Sequence, residues 1–256
     1  MEFAGTSAIV TGGASGIGAA SARALTKRGA RCVLIDLNDE LGEALASELG
    51  GLYVKADVAN AEQVQVAVDA AVEMAPLRAL VNAAGIGAAG RTVDREGNPL
   101  PLEQFERVIR VNLIGTFNCL RLAAAAMAKG EPVDADGSRG AVVNISSVAS
   151  FDGQIGQAAY AASKGGINSL TLTTARDLSA QGIRVNTVTP GLIDTPIYGT
   201  GERADAFKAK LGESVLFPHR LGTADELASM VVELLTNDYM NGEVVRVDGG
   251  IRMPPR

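Results

Sequence analysis

The chain has 256 residues, 47% of them hydrophobic, and a formal charge of −6 with one histidine and two cysteines. That length holds one large α/β domain, and the acidic balance excludes a general nucleic-acid surface, which needs a basic face. Two thiols make no disulfide framework, so Cys32 and Cys119 read as small buried hydrophobes in a reducing, cytoplasmic setting.

Residues 1–5 show neither a basic n-region nor an apolar h-region, so no export signal is expected. Residues 7–10 are a short apolar run ending at glycines, as a buried parallel strand requires. A helix over 17–28 closes at Gly29, and 32–35 make a second buried strand. A helix over about 39–49 stops at Gly50 and Gly51. A strand at 52–54, a helix at 61–74 and a strand at 77–81 follow. A glycine-rich polar stretch, 85–101, interrupts the alternation before a long helix at about 102–129. Its most apolar tract, 120–128, contains Arg121 and is too short to span a bilayer, so no membrane partner is expected. Residues 131–139 form an acidic surface loop, 141–145 strand five, 157–180 a helix, 183–188 strand six and 242–247 strand seven. Strands alternating with helices of this length predict a Rossmann-type, doubly wound parallel sheet of about seven strands with helices on both faces. One domain, 1–256, accounts for the whole chain.

The segment 191–216 departs from this packing. It combines Pro196, Gly199 and Gly201 with charges such as Glu202, Arg203 and Lys208. Following a strand's carboxyl end, it is placed to act as a substrate lid; an ordinary helical hairpin on the surface is the competing reading.

Two patterns carry chemistry. Gly12, Gly16 and Gly18 fall at the first strand-to-helix turn, where missing Cβ atoms let backbone approach a pyrophosphate at a helix N-terminus. Asp36 closes the second strand about twenty residues on; a carboxylate there accepts ribose hydroxyls and repels a 2′-phosphate, which favours NAD. The alternative for Asp36 is a helix N-cap. The second pattern is Tyr160 and Lys164, one helical turn apart. A fixed cation beside a phenol favours the phenolate and draws the tyrosine toward use as a base. Ser147 lies thirteen residues before Tyr160, with Ser146 as its neighbouring competitor. Asp57 and Val58 can bracket an adenine, and the small residues of 82–85 bring backbone close to a cofactor. The lone histidine, His219, is the rival base and reads as structural.

With the glycine loop, Asp57, Asn82-Ala83-Ala84-Gly85, Asn112, Ser147, Tyr160, Lys164 and Pro190-Gly191 in one order, the chain resembles the short-chain dehydrogenase/reductase family over nearly its full length. Residues 151–160, 217–222 and 241–253 further resemble the type-2 3-hydroxyacyl-CoA dehydrogenase subgroup, also called type-10 17β-hydroxysteroid dehydrogenase. The resemblance implies that Tyr160 transfers the proton, that Lys164 lowers its pKa and binds the nicotinamide ribose, and that Ser147 holds the substrate oxygen. It implies that Asn112 supports a proton relay, against a competing reading as a helix-interior amide satisfying backbone groups. Ser15, Ile17, Asp36, Asp57, Val58, Ala83, Gly85, Pro190, Ile193 and Thr195 match cofactor positions, and Ser147, Gln157 and Tyr160 substrate positions. No metal enters this reading. An NAD-dependent, homotetrameric oxidoreductase of a secondary alcohol, foremost an (S)-3-hydroxyacyl-CoA, is the expected function. The rivals are an NADPH-dependent 3-oxoacyl-carrier-protein reductase, a hydroxysteroid dehydrogenase and a non-catalytic NAD-binding scaffold.

Overall fold

Seven parallel strands form the central sheet in a computed structural model that describes residues 1–195, 198–199 and 201–255. In chain order the first half comprises β1 (Ser7–Thr11), α1 (Gly16–Thr26), β2 (Arg31–Asp36), α2 (Asp39–Leu49), β3 (Leu52–Lys55), α3 (Ala61–Met74) and β4 (Leu77–Asn82). Then come α4 (Leu102–Ile109), a π-helical turn (Arg110–Ile114), α5 (Gly115–Ala128), β5 (Gly140–Ile145), α6 (Ala158–Asp177) and β6 (Ile183–Pro190). The last part holds β7 (Ile193–Asp194), α7 (Glu202–Gly212), β8 (Gly222–Thr223), α8 (Ala224–Thr236) and β9 (Val244–Val247). The sheet order is β3-β2-β1-β4-β5-β6-β9, which matches the doubly wound expectation. The chain builds outward from β1 one way through β3 and the other way from β4, so the order reverses between β1 and β4. In an open parallel sheet such a reversal opens a ligand crevice outside the carboxyl ends of the strands.

The strands alternate side chains between two apolar layers. Ala8, Val10, Cys32 and Leu34 join one cluster with Leu25 of α1 and Val231 and Leu235 of α8. Ile9, Val33 and Ile35 join the opposite cluster with Val64 and Val68 of α3 and Leu120 and Met127 of α5. Full burial of each such large aliphatic side chain contributes about 1.5–3 kcal/mol. Both cysteines are buried within these layers, as expected.

Three local features depart from the sequence expectations. The long helix is interrupted by the π turn at Arg110–Ile114, which holds Asn112. Its full run, 102–128, is long and apolar enough to cross a membrane, yet half of its apolar window is buried within the protein. Helix α8 was not foreseen, although Thr223 and Glu226 form a capping box ahead of an apolar stripe at Leu227, Val231, Leu234 and Leu235. It supplies the crossover that a parallel β6–β9 pair demands. Strand seven begins two residues later than expected, at Val244.

Candidate active site

The carboxyl end of β1 delivers Thr11 to the switch point, opposite Asn82 of β4. The Thr11 hydroxyl accepts hydrogen bonds from the N–H groups of Ala83 and Ala84, both at 3.1 Å, and so ties the turn after β4 to the glycine loop. Gly12 makes this approach possible. Its φ is +61°, and a Cβ there would stand 2.8–2.9 Å from the backbone of Ala83 and Ala84. A Cβ on Gly18 would strike the carbonyl of Gly12. Ser15 is the extended N-cap of α1, exposed, and makes no side-chain capping bond, and no acidic residue occupies the first turn. Those N–H groups and the helix dipole face the cleft and fit an anionic pyrophosphate.

Asp36 stands at the same cleft. One carboxylate oxygen accepts from Ala14 N–H at 3.1 Å, and the other from Leu37 and Asn38 N–H at 2.7 and 3.1 Å. The cap of α2 is Asn38, whose side chain accepts from Leu41 N–H, so the N-cap reading of Asp36 does not hold. Thr195 reaches the loop from the far side, because a Cβ on Gly16 would lie 3.4 Å from its methyl group. Asp57 closes its own turn by accepting from Ala59 N–H at 2.9 Å, and Val58 packs against Gly115. Ile193 is buried and pairs with Gly222, and Pro190 ends β6 beside Val247.

The polar residues gather next to this cleft. Lys164 is buried, and its ammonium donates to the carbonyl of Ile145 at 2.8 Å. Burial draws its pKa down to about 8. The ammonium lies 5.8 Å from the centre of the Tyr160 ring. Burial pushes the Tyr160 phenol up, and hydrogen bonding from Ser147 works in the opposite sense. Burial is the larger influence on the Tyr160 phenol, and the Lys164 ammonium bonds to a backbone carbonyl. Ser147 caps the short 3-10 turn Val148–Ser150, accepting from Ala149 N–H at 3.2 Å. Its competitor Ser146 is spent on the α6 backbone, donating to the Lys164 carbonyl at 2.9 Å.

Asn112 is fully buried, and its amide is engaged throughout. The oxygen accepts from Ile86 N–H at 2.8 Å, and the nitrogen donates to the Ile86 carbonyl at 2.9 Å and to the Ser163 hydroxyl at 3.0 Å. Ser163 passes the connection on to the Tyr160 carbonyl at 2.7 Å. Asn112 thus satisfies backbone groups, as the competing reading held, and braces the start of α6. A Cβ on Gly85 would lie 3.3 Å from the Asn112 oxygen and 3.4 Å from the Lys164 nitrogen, so this glycine lets both side chains approach the cleft. Gln157 closes the turn before α6 by accepting from Gln154 N–H at 3.1 Å, which turns its amide toward the loop. His219 contacts the Val215 carbonyl at 2.9 Å. Sequence reasoning gave no role to Thr11 and Ser163, whose partners Ala83, Ala84 and Asn112 lie on remote segments, and it read Lys208 only as a lid charge.

Among its described residues the segment 191–216 carries helix α7, and it is closed at its base by the β7–β8 pair. Lys208 of α7 pairs with Asp194 at 2.8 Å. Pro196 lies outside the described residues. A cavity of about 140 Å³ opens between the lid's base and α8, lined by Leu192, Ile193, Val215, Pro218 and Leu227 among others. It shares Ile193 with the nucleotide cleft and includes none of Ser147, Tyr160 or Lys164.

Comparison with known proteins agrees with this geometry. Residues 6–205 match the model of the short chain dehydrogenase family. The chain is 47% identical over 255 residues to 3-hydroxyacyl-CoA dehydrogenase type-2 of Bos taurus, covering 98% of this chain and 97% of that one. It is 46% identical over 256 residues to the enzyme of the same name from Homo sapiens, with the same coverage. The crystal structure of 3-hydroxyacyl-CoA dehydrogenase type-2 from Mycobacterium avium superposes with a TM-score of 0.94, at 46% identity, covering 99% of this chain and 98% of that one. The chain belongs to the short-chain dehydrogenase family and is an oxidoreductase that uses a nicotinamide cofactor on a small-molecule substrate.

Proposed function

We propose that this oxidoreductase is NAD-dependent and oxidises the hydroxyl of a 3-hydroxyacyl-CoA to the ketone. The observation that carries the substrate is the likeness, from end to end of the chain, to enzymes named for that activity. The preference for NAD rests on Asp36, whose carboxylate lies beside the glycine loop through Ala14 and repels a 2′-phosphate.

The residue roles follow from the chemistry of each group. Gly12 and the N-terminus of α1 take the pyrophosphate, Asp36 the adenosine ribose, and Thr195 and Ile193 border the nicotinamide end. The chemistry a bound nicotinamide would supply is acceptance of a hydride from the carbon bearing the substrate hydroxyl. Tyr160 takes the hydroxyl proton. Ser147 donates to the substrate oxygen as negative charge develops there. Lys164 supplies a fixed positive charge at the end of β5, and Asn112 with Ser163 sets the position of the α6 backbone that carries Tyr160. The 191–216 segment closes over the substrate.

The apolar side chains of Ile114, Phe117 on α5 and Leu172 on α6 stand exposed on neighbouring helices, and we read this surface as a contact in a homotetramer. The substrate assignment is tested by comparing kcat/KM with NAD for (S)-3-hydroxybutyryl-CoA, a 17β-hydroxysteroid and propan-2-ol. The thioester is expected to lead. A steroid or simple alcohol at least tenfold better would replace it.

A further inference from the structure

Tyr160 and Lys164 share one face of α6, and a second step of four residues brings Asn168 onto that face, one turn further along. This face is stitched to the end of β5 and the turn that follows it. The Lys164 ammonium donates to the Ile145 carbonyl at 2.8 Å, and the Ser146 hydroxyl donates back to the Lys164 carbonyl at 2.9 Å. Asn168 adds the next stitch. Its Nδ2 donates to the Ser150 hydroxyl at 2.8 Å, and that hydroxyl donates to the Ser147 carbonyl at 2.6 Å. The Ser150 N–H bonds the same carbonyl at 3.0 Å. Ser147 therefore lies between two ties to α6, one at Ile145 and one through Ser150.

Asn168 is a poor choice for the fold alone. Asparagine is a weak helix former, and position 168 is well inside α6. Its Oδ1 is buried and finds no hydrogen-bond partner among the described residues, a destabilising arrangement. Leucine has the same branching at Cγ and would avoid both faults. What leucine lacks is the N–H that Ser150 accepts. A serine hydroxyl has one proton, and here it goes to Ser147; the Asn168 donor occupies the oxygen and so fixes the direction of that bond.

We propose that Asn168, acting through Ser150, is a positioning residue that holds Ser147 in place to donate to the reacting oxygen of the substrate. This rests on the reading of Ser147 as that donor and is independent of what else the substrate carries.

The test is the paired variant Ser150→Ala with Asn168→Leu, because removing both partners of a hydrogen bond leaves no orphaned group. NADH-dependent reduction is followed on whichever of acetoacetyl-CoA, ethyl acetoacetate and hexan-2-one the wild type reduces fastest. The paired variant is expected to keep its Tm within about 2 °C of wild type or above it, and to bind NADH within about twofold. Its kcat/KM is expected to fall about tenfold, the scale of a loosened site. Ser147→Ala is expected to lose about 10²-fold or more, and adding the pair to it should change kcat/KM by no more than about twofold. Ser150→Thr keeps the hydroxyl and should stay within about twofold of wild type while Ser150→Ala shows the loss, which reads the same contact if the paired variant does not fold. Activity of the pair within twofold of wild type overturns the inference, as does a loss matched by a fall in Tm or NADH affinity, the mark of a structural role. A full tenfold loss on the Ser147→Ala background places the effect elsewhere and also overturns it. Ser147→Ala within tenfold of wild type, or a wild type that reduces none of the ketones, removes the reading of Ser147 and this inference with it.

Discussion

Lys164 donates its ammonium proton to the carbonyl of Ile145, the last residue of β5, at 2.8 Å. The bond fastens the first turns of α6, and with them Tyr160, to the carboxyl end of a central strand. Ser147 begins two residues after that carbonyl, so one strand end positions both polar partners of the phenol.

Replacement of Tyr160 by phenylalanine removes the proposed proton acceptor and keeps the ring. Turnover is expected to fall by about 10²–10⁴-fold, with NADH affinity within a few-fold of wild type. Because burial raises the Tyr160 pKa, kcat/KM for oxidation should climb with pH while that for reduction declines. Residual activity within tenfold of wild type, or an oxidation rate that falls as pH rises, contradicts the assignment.

Lys164 links the site to stability. Its folded pKa of about 8 lies below the ordinary lysine value, so burial of the charge costs stability at every pH below about 8. As pH rises from about 8 toward about 10.4 the folded form releases its proton first, and that penalty of about 3 kcal/mol is relieved. Denaturant unfolding of wild type and Lys164→Met should therefore diverge over this window, with the wild type gaining relative to the variant. Parallel profiles would mean that Lys164 is not titrating in the folded protein.

Asp36→Ala removes both the carboxylate and its bond to Ala14. NAD affinity is expected to drop about tenfold or more, the scale of a charge-assisted hydrogen bond, with a smaller change or a gain for NADP. Isothermal titration with both nucleotides checks this, and equal losses would mean that the residue serves only the loop.

How much of this was legible beforehand depended on how local each signal is. The glycine turn and the Tyr160–Lys164 pair lie within one loop and one helical turn, and the structure has the loop between β1 and α1 and the pair on α6. Asn112 could be singled out, but its partners Ile86 and Ser163 come from other segments, and the π turn that holds it is a feature of tertiary packing. Thr11 acts through contacts with Ala83 and Ala84 that spacing does not reveal. Helix α8 had a readable start at Thr223 and Glu226, lost among the charges that follow the lid.

The proposed homotetramer rests on the exposed apolar side chains of Phe117 on α5 and Leu172 on α6. Phe117→Glu combined with Leu172→Glu should convert a tetramer into smaller species in light scattering at micromolar concentration. A wild-type protein that is already monomeric there contradicts the tetramer.

The most direct measurement is the loss of NADH absorbance on mixing purified enzyme with acetoacetyl-CoA, run beside NADPH and beside Tyr160→Phe. The account predicts rapid oxidation of NADH, much slower use of NADPH, and near-silence of the variant. Ready reduction of steroids or simple ketones with acetoacetyl-CoA left untouched would keep the fold and the chemistry at Tyr160 but contradict the substrate.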